Sequence, residues 1–377
     1  MEPFKNLMSP ELVKCTAEHL RRHVSGFDGQ AFQNSILAQL PELELKQRAQ
    51  LIAQHVHAAL PENISERNRV ILAMLHPDEH NHAGEKSDNE GLCGWGIYPL
   101  TMVVGQHGLK DFDESMALLK EMTKRGTAEF DIRYFLIADQ SRALNIISGW
   151  VNDPNRHVRR LVSEGTRPRL PWAMQLKALV ADPAPTLTLM KALRDDTEGY
   201  VRRSVANHLN DIAKDHPDLV AKIAAEWIRG ADTNRKRLLR HACRTLIKQG
   251  HTKALRAFGI EPPRLELNHL SIHNSPVDFG GKLEFSTSLT STKTTPQDLV
   301  LDYVVHFKKA NGTLAPKVFK WKTMKLGAGE TVELTRTHAI RPITTRRYYD
   351  GEQALSLRIN GRDFGFSEFT LHMPSNS

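Results

Sequence analysis

Trp150-Val-Asn-Asp-Pro-Asn-Arg-His-Val-Arg-Arg-Leu-Val-Ser-Glu-Gly-Thr-Arg-Pro-Arg-Leu-Pro-Trp172 decides how the chain is read. It opens on a helix end, turns at Asp153-Pro154, and continues as a helix carrying Arg156, Arg159 and Arg160 that stops at Gly165. Pro171 suits the first turn of a further helix, where a missing N–H costs nothing. The first part recurs. Asp153-Pro-Asn-Arg-His-Val-Arg-Arg160 returns 43 residues later as Asp196-Thr-Glu-Gly-Tyr-Val-Arg-Arg203, and 36 residues after that as Asp232-Thr-Asn-Arg-Lys-Arg-Leu-Leu-Arg240. Periods of this size, built from helix pairs, are the mark of a HEAT-type solenoid. One pair cannot bury its apolar face alone, so pairs stack and present a concave surface.

The second helix of each pair carries the arginines. Arg156, Arg159, Arg160, Arg202, Arg203, Arg237, Arg240 and Arg244, with Arg167 and Arg169 beside them, are candidates for a basic track that follows a phosphate backbone. Acidic residues at i,i+4 spacing are too sparse to pair them all as an ordinary solvated face. The whole-chain balance agrees: 377 residues carry a net charge of +8, which favours a polyanionic partner.

Upstream, residues 1–75 read as helices, starting at Ser9-Pro10-Glu11. Residues 76–91 are polar and read as a loop. His76, His80 and His82 with Asp78 and Glu79 could be taken for metal ligands, but a loop gives them nothing to fix their orientation; no metal is expected. Gly94, Gly96 and Gly105 suggest close helix packing. Trp95, Trp150 and Trp227 read as core. Three cysteines, far apart and odd in number, argue against disulfides and for a reducing, cytoplasmic setting. No apolar run is long enough to span a bilayer, and nothing demands more than a monomer.

Beyond Gly259-Ile-Glu-Pro-Pro-Arg264 the period changes to two. About seven alternating segments, from Leu265-Glu-Leu-Asn-His-Leu-Ser-Ile to Phe366-Ser-Glu-Phe-Thr-Leu-His, read as strands of an immunoglobulin-like sandwich. The expected architecture is therefore mainly α: a HEAT-like α-solenoid over 1–258, then an all-β immunoglobulin-like sandwich over 265–377. Arg341-Pro-Ile-Thr-Thr-Arg-Arg347 is a basic loop suited to a minor groove.

Carboxylates weaken a phosphate-binding surface, so those among the arginines need a reason. Glu164 follows the three arginines of its helix, Asp211 lies one turn past the equivalent place in the next repeat, and Glu129 precedes them in Gly126-Thr-Ala-Glu-Phe-Asp-Ile-Arg133. Stacked repeats could bring these three together with Trp172. The plain alternatives are that Glu129 favours a helix N-terminus, that Glu164 or Asp211 is a structural partner of Arg160, Arg167 or Arg203, and that Trp172 is a packing wedge.

Gly94-Trp-Gly-Ile-Tyr-Pro-Leu100, Thr127-Ala-Glu-Phe-Asp-Ile-Arg133 and above all Ser163-Glu-Gly-Thr-Arg-Pro-Arg-Leu-Pro-Trp172 resemble the AlkC family of DNA alkylation repair proteins, HEAT-like DNA glycosylases related to the AlkD type. The tail resembles the immunoglobulin-like domain that some members carry. The resemblance implies a monofunctional glycosylase that removes cationic alkylated bases, chiefly 3-methyladenine and 3-methylcytosine, from double-stranded DNA without flipping the base and without a cofactor. It places the functional carboxylates on Glu129, Glu164 and Asp211, and the aromatic contact to lesion or sugar on Trp172. Glu164 is the first choice to position the water. A non-enzymatic nucleic-acid-binding scaffold is the competing reading, and a metal-dependent nuclease a more distant one.

Overall fold

The computed structural model describes residues 3–79, 86–344 and 346–374. The helices are α1 Pro10–His23, α2 Gly29–Leu37, α3 Leu45–Ala59, α4 Ile64–Met74, α5 Ile97–His107, α6 Phe112–Thr123, α7 Ile132–Ala138, α8 Gln140–Ser148, α9 Arg156–Gly165, α10 Lys177–Ala181, α11 Ala184–Leu193, α12 Gly199–Ile212, α13 Pro217–Trp227, α14 Thr233–Ala242, α15 Arg244–Gln249 and α16 Thr252–Ala257. None among the described residues is long and apolar enough to cross a membrane.

Local chemistry starts the helices where the sequence places the signals. Ser9 accepts a hydrogen bond from the Leu12 amide, with Pro10 in the first turn of α1. At the start of α9, Asp153 accepts from the Asn155 amide, and the Asn155 side chain from the His157 amide, both at 2.8 Å. The two later copies of the turn use Asp196 and Asp232 in the same way, on the amides of Glu198 and Arg235. The three helices that follow these turns, α9, α12 and α14, pack in succession. Each sends Val or Leu inward, as Val158 and Leu161 in α9, Val201 and Val205 in α12, and Leu238 and Leu239 in α14. That is the stacking the repeat requires.

Pro171 does not open a helix. Residues 171–172 form a turn, 173 a bend, and α10 begins only at Lys177. The chain there is shaped by partners reaching in from elsewhere, described below.

Eight strands follow among the described residues: β1 Leu265–Ile272, β2 Val277–Asp278, β3 Lys282–Ser291, β4 Gln297–Lys308, β5 Leu314–Leu326, β6 Thr331–Ala339, β7 Gly351–Ile359 and β8 Arg362–His372. They form a three-stranded sheet, β1-β3-β6, and a five-stranded one, β2-β8-β7-β4-β5. Alternation builds the core: Leu299, Leu301, Tyr303, Val305 and Phe307 of β4 point in, beside Ile359, Leu357 and Leu355 of β7, and meet Leu283, Phe285 and Leu289 of β3. Two-residue β2 is too short to show as a period in the sequence.

Helix gives way to strand between 258 and 265, but packing divides the chain elsewhere. One compact unit comprises 1–215 and 232–242; the other comprises 216–231 and 243–377. Thus α13, α15 and α16 group with the sheets. Gly250 and Gly361 approach so closely that a Cβ on either would lie 2.3 Å from the other's Cα, and the Asn360 side chain donates to the Glu261 carbonyl at 2.8 Å. A truncation at residue 260 would cut through this unit.

Candidate active site

Three segments of the helical unit converge. The first contains Trp95 and Tyr98, around the start of α5. The second is the connection from α6 to α7, holding Thr127, Glu129 and Phe130. The third runs from α9 through Trp172. Glycine lets the first two meet: a Cβ on Gly126 would lie 2.4 Å from the Gly94 carbonyl oxygen. Arg133 ties the second to the third. It is fully buried, and its guanidinium donates to the carbonyls of Met174 (2.6 Å), Gly165 (2.9 Å) and Arg167 (2.8 Å). Burial, followed by repulsion from Arg167, lowers its pKa to about 10, so it keeps its charge at neutral pH. This residue ends the Thr127–Arg133 motif, yet sequence reasoning gave it no task.

Between the segments lies a cleft of about 400 Å³. Glu129, Glu164 and Arg167 form its charged side. Trp95, Tyr98, Phe130, Leu170, Pro171 and Trp172 form its apolar side. Trp150 and Trp227 are buried, but Trp95 is only half-buried and faces this space, so it is not simply core. Its Gly-Trp-Gly setting, a single 3-10 turn ahead of α5, gives the sequence no way to tell a core residue from one walling a cleft.

Glu129, Glu164 and Asp211 belong to one row of alternating charges. Glu129 Oε2 accepts from Thr127 Oγ1 at 2.6 Å and from Arg160 at 2.5 Å. Arg160 is 3.6 Å from Glu164. Glu164 Oε1 accepts from Arg167 at 2.6 Å and its Oε2 from Ser204 Oγ at 2.6 Å. Arg167 also donates to Asp211 at 2.8 Å, and Asp211 is 3.0 Å from Lys214 Nζ. Burial alone would raise the pKa of Glu164, but Arg160, Arg167 and the Ser204 hydroxyl outweigh it, so the carboxylate stays ionised. Burial likewise opposes the charge of Arg160, and Glu129 and Glu164 reverse that. The row thus joins Glu129 and Glu164 at the cleft with Asp211 behind Arg167; Asp211 is 2% exposed and does not line the cleft.

Trp172 stands on the rim. It is 63% exposed and has φ = 67°, in the left-handed region. A large L-residue there is strained by about 1–2 kcal/mol. Lys46 Nζ donates to its carbonyl. An exposed indole held in a strained turn is not a packing wedge. Trp172→Gly should therefore be more stable in urea than Trp172→Ala by about 1 kcal/mol. Equal stability of the two would show that the turn carries no strain.

The arginines divide. Arg159 donates to the Asp153 and Pro154 carbonyls and pairs twice with Asp196, at 2.6 and 3.0 Å. Arg202, its counterpart, donates to the Asp196 and Thr197 carbonyls. These two fasten the repeat turns. Arg160 and Arg167 serve the carboxylates, and Arg169 grips Asp215 with two bonds. The Arg156 side chain is half-exposed, and Arg203, Arg237 and Arg240 are exposed in the same unit; Arg244 is exposed in the other. Within the helical unit, a phosphate-facing track would draw on the exposed Arg156, Arg203, Arg237 and Arg240, whereas Arg159, Arg160, Arg167, Arg169 and Arg202 are engaged by the partners just named.

Asp131, two residues past Glu129, is buried and accepts from Thr101 Oγ1 at 2.7 Å. Burial raises its pKa to about 7. Between its unfolded pKa near 4 and this value the folded state holds the extra proton. Its cost therefore grows as pH rises, reaching about 4 kcal/mol above pH 7. Asp131→Asn should be more stable than wild type at pH 8 and nearly equal at pH 4. Urea midpoints at both values test this; an unchanged difference between them would refute it.

His76 uses Nδ1 to accept from the Asp78 amide. His80 and His82 lie outside the described residues.

Residues 266–373 match the family model described as "Uncharacterised protein YhaZ, C-terminal Ig-like domain". Over 363 residues the chain is 36% identical to "Uncharacterized protein YhaZ" of Bacillus subtilis (strain 168), covering 96% of this chain and 97% of that one. A solved structure, "Pseudomonas fluorescens alkylpurine DNA glycosylase AlkC bound to DNA containing an abasic site analog", matches with a TM-score of 0.84 at 35% identity, over 98% of this chain and all of that one.

Proposed function

Because the chain belongs to the AlkC family of DNA glycosylases, in the form with a C-terminal immunoglobulin-like domain, we propose that it hydrolyses the N-glycosidic bond of cationic alkylated bases in DNA. The substrates are 3-methyladenine and 3-methylcytosine, removed without flipping the base. The observation that carries this reading is one cleft lined by Glu129, Glu164 and Arg167 together with Trp172 and other aromatic and aliphatic side chains.

A base methylated on a ring nitrogen already carries positive charge and leaves without being protonated. The barrier lies in the positive charge that develops on the sugar. A carboxylate at ~4 Å and an effective dielectric of ~20 interacts with a unit charge by roughly 4 kcal/mol. The part gained only in the transition state accelerates the reaction. The row alternates Glu129, Arg160, Glu164, Arg167, Asp211 and Lys214, with Glu129 at one end. Both oxygens of Glu164 are occupied by donors, whereas nothing among the described residues donates to Glu129 Oε1. Glu129, rather than Glu164, is therefore assigned to position the water. Glu164 and Asp211 fix the arginines and the charge behind it. Trp172 contacts the lesion or its sugar. No metal or organic cofactor enters the chemistry.

The test is base release from methylated DNA in EDTA, read by chromatography of the freed bases. Release of 3-methyladenine with formation of alkali-labile sites is expected. Tight DNA binding with no release would overturn the reading in favour of a scaffold.

A further inference from the structure

Glu129 borders two cavities. One is the cleft. The other, of about 170 Å³, is lined by further residues that the cleft does not share, Thr123, His157, Arg160 and Tyr200 among them. Glu129 and Thr127, joined by their 2.6 Å hydrogen bond, border both spaces and form the partition. Thr123, Glu129 and His157 are buried, while Tyr200 is 42% exposed, which puts it at the mouth. Arg160 Cζ lies 5.0 Å from the Tyr200 ring centroid, and the His157 and Tyr200 rings are 5.3 Å apart. A water molecule occupies about 30 Å³ of liquid and needs two to four polar partners when enclosed; the cavity offers room for several and the groups to hold them.

Hydrolysis needs water at the sugar at the moment when DNA fills the cleft. The cleft is mostly aromatic and aliphatic on its other side, so it is a poor source. We propose that the second cavity supplies the hydrolytic water to Glu129 and carries away the proton released, with Tyr200 as its gate. This rests on the glycosidic hydrolysis proposed above. As the C–N bond breaks, its electron pair moves onto the base, which leaves neutral. The water oxygen bonds to the anomeric carbon. One water proton passes to the Glu129 carboxylate and then, through the water of the second cavity, to bulk solvent, restoring the charge of Glu129.

Methanol as a competing nucleophile tests this with the full-length protein and a methylated duplex. Capture of methanol leaves a methyl glycoside that survives alkali, whereas capture of water leaves an alkali-labile abasic site; mass spectrometry gives their ratio. The ratio is internal to each reaction, so it does not depend on DNA affinity or on the fraction of folded protein. Tyr200→Ala widens the mouth and is expected to raise the ratio severalfold, while Tyr200→Phe keeps the wild-type value. Thr123→Leu fills the cavity from its buried end and is expected to slow single-turnover base release at least about tenfold, with the Kd for duplex containing a tetrahydrofuran site unchanged. Should Thr123→Leu fail to fold, the Tyr200→Ala ratio decides alone. An unchanged ratio in Tyr200→Ala would place water entry on the DNA side and overturn the inference. Absence of any base release by wild type would instead overturn the function itself.

Discussion

Glu129→Gln lowers single-turnover base release by at least about 100-fold, equivalent to about 2.7 kcal/mol, and leaves the fold in place. The change removes charge without removing the side chain. The amide oxygen still accepts from Thr127 and Arg160, which now hold Glu129 at 2.6 and 2.5 Å. What disappears is the negative end of the charge row where it meets the cleft. The sugar is neutral in the ground state and cationic in the transition state, so it feels that loss only as the bond breaks. Two abasic analogues separate these effects. Duplex with a positively charged pyrrolidine in place of the sugar should bind wild type more tightly than duplex with neutral tetrahydrofuran. Glu129→Gln should erase that preference while keeping its affinity for the tetrahydrofuran duplex. A variant with wild-type turnover, or with the preference intact, would remove Glu129 from the chemistry. Glu164→Gln differs in kind, because Glu164 serves Arg167 and Ser204 with separate oxygens. Its loss should appear in stability as well as in rate.

The repeated Asp-containing turns exposed the helix stack in the sequence because each Asp does the same local job, accepting a backbone amide two or three residues on. The sandwich was legible through its period of two, which places Leu299, Leu301, Tyr303 and Val305 on one face. Pairing of the arginines was legible only in part: Glu164 and Asp211 were open as partners of Arg160 and Arg167, and are, but Glu129 and Asp196 were not foreseen as partners of Arg160 and Arg159. Arg160 meets Glu129 31 residues away, Arg159 meets Asp196 37 away, and Arg167 meets Asp211 44 away. Inspection at i,i+4 found few partners because the partners stand one repeat off, a distance set by packing. Glu129, Glu164 and Trp172 could be singled out as odd residues in a basic region, but the structure supplies the reason they meet: Arg133, reaching from one motif to three carbonyls of another. Trp95 was taken as core because an aromatic beside glycines reads the same whether it packs inward or walls a cleft. The change from helix to strand is visible at 259–264, whereas the grouping of α13, α15 and α16 with the sheets depends on contacts such as Gly250 with Gly361.

Arg167→Met destabilises the helical unit by about 3–5 kcal/mol and abolishes base release. Arg167 is 7% exposed and, among the described residues, is the only group that binds Glu164 and Asp211 together. Methionine fills much of the same space, so the expected loss is electrostatic: two buried carboxylates face each other with their shared cation gone. Lys214 still reaches Asp211 and Arg160 still stands 3.6 Å from Glu164, which keeps the effect from growing larger. Arg167→Lys should recover little, since one ammonium cannot reproduce two directed bonds from separate nitrogens. In a domain of this size each kcal/mol shifts the melting temperature by about 2–4 °C, so a drop on the order of 10 °C is expected. The double variant Arg167→Met/Asp211→Asn separates charge from packing. If the cost is an unpaired carboxylate, removing Asp211's charge returns part of the stability, and the two substitutions cost less together than their sum. Activity should stay low in the double variant, because Glu164 remains without the guanidinium that holds its Oε1. Strict additivity of the two substitutions, or an active Arg167→Met protein of wild-type stability, would show that the row does not act as a unit.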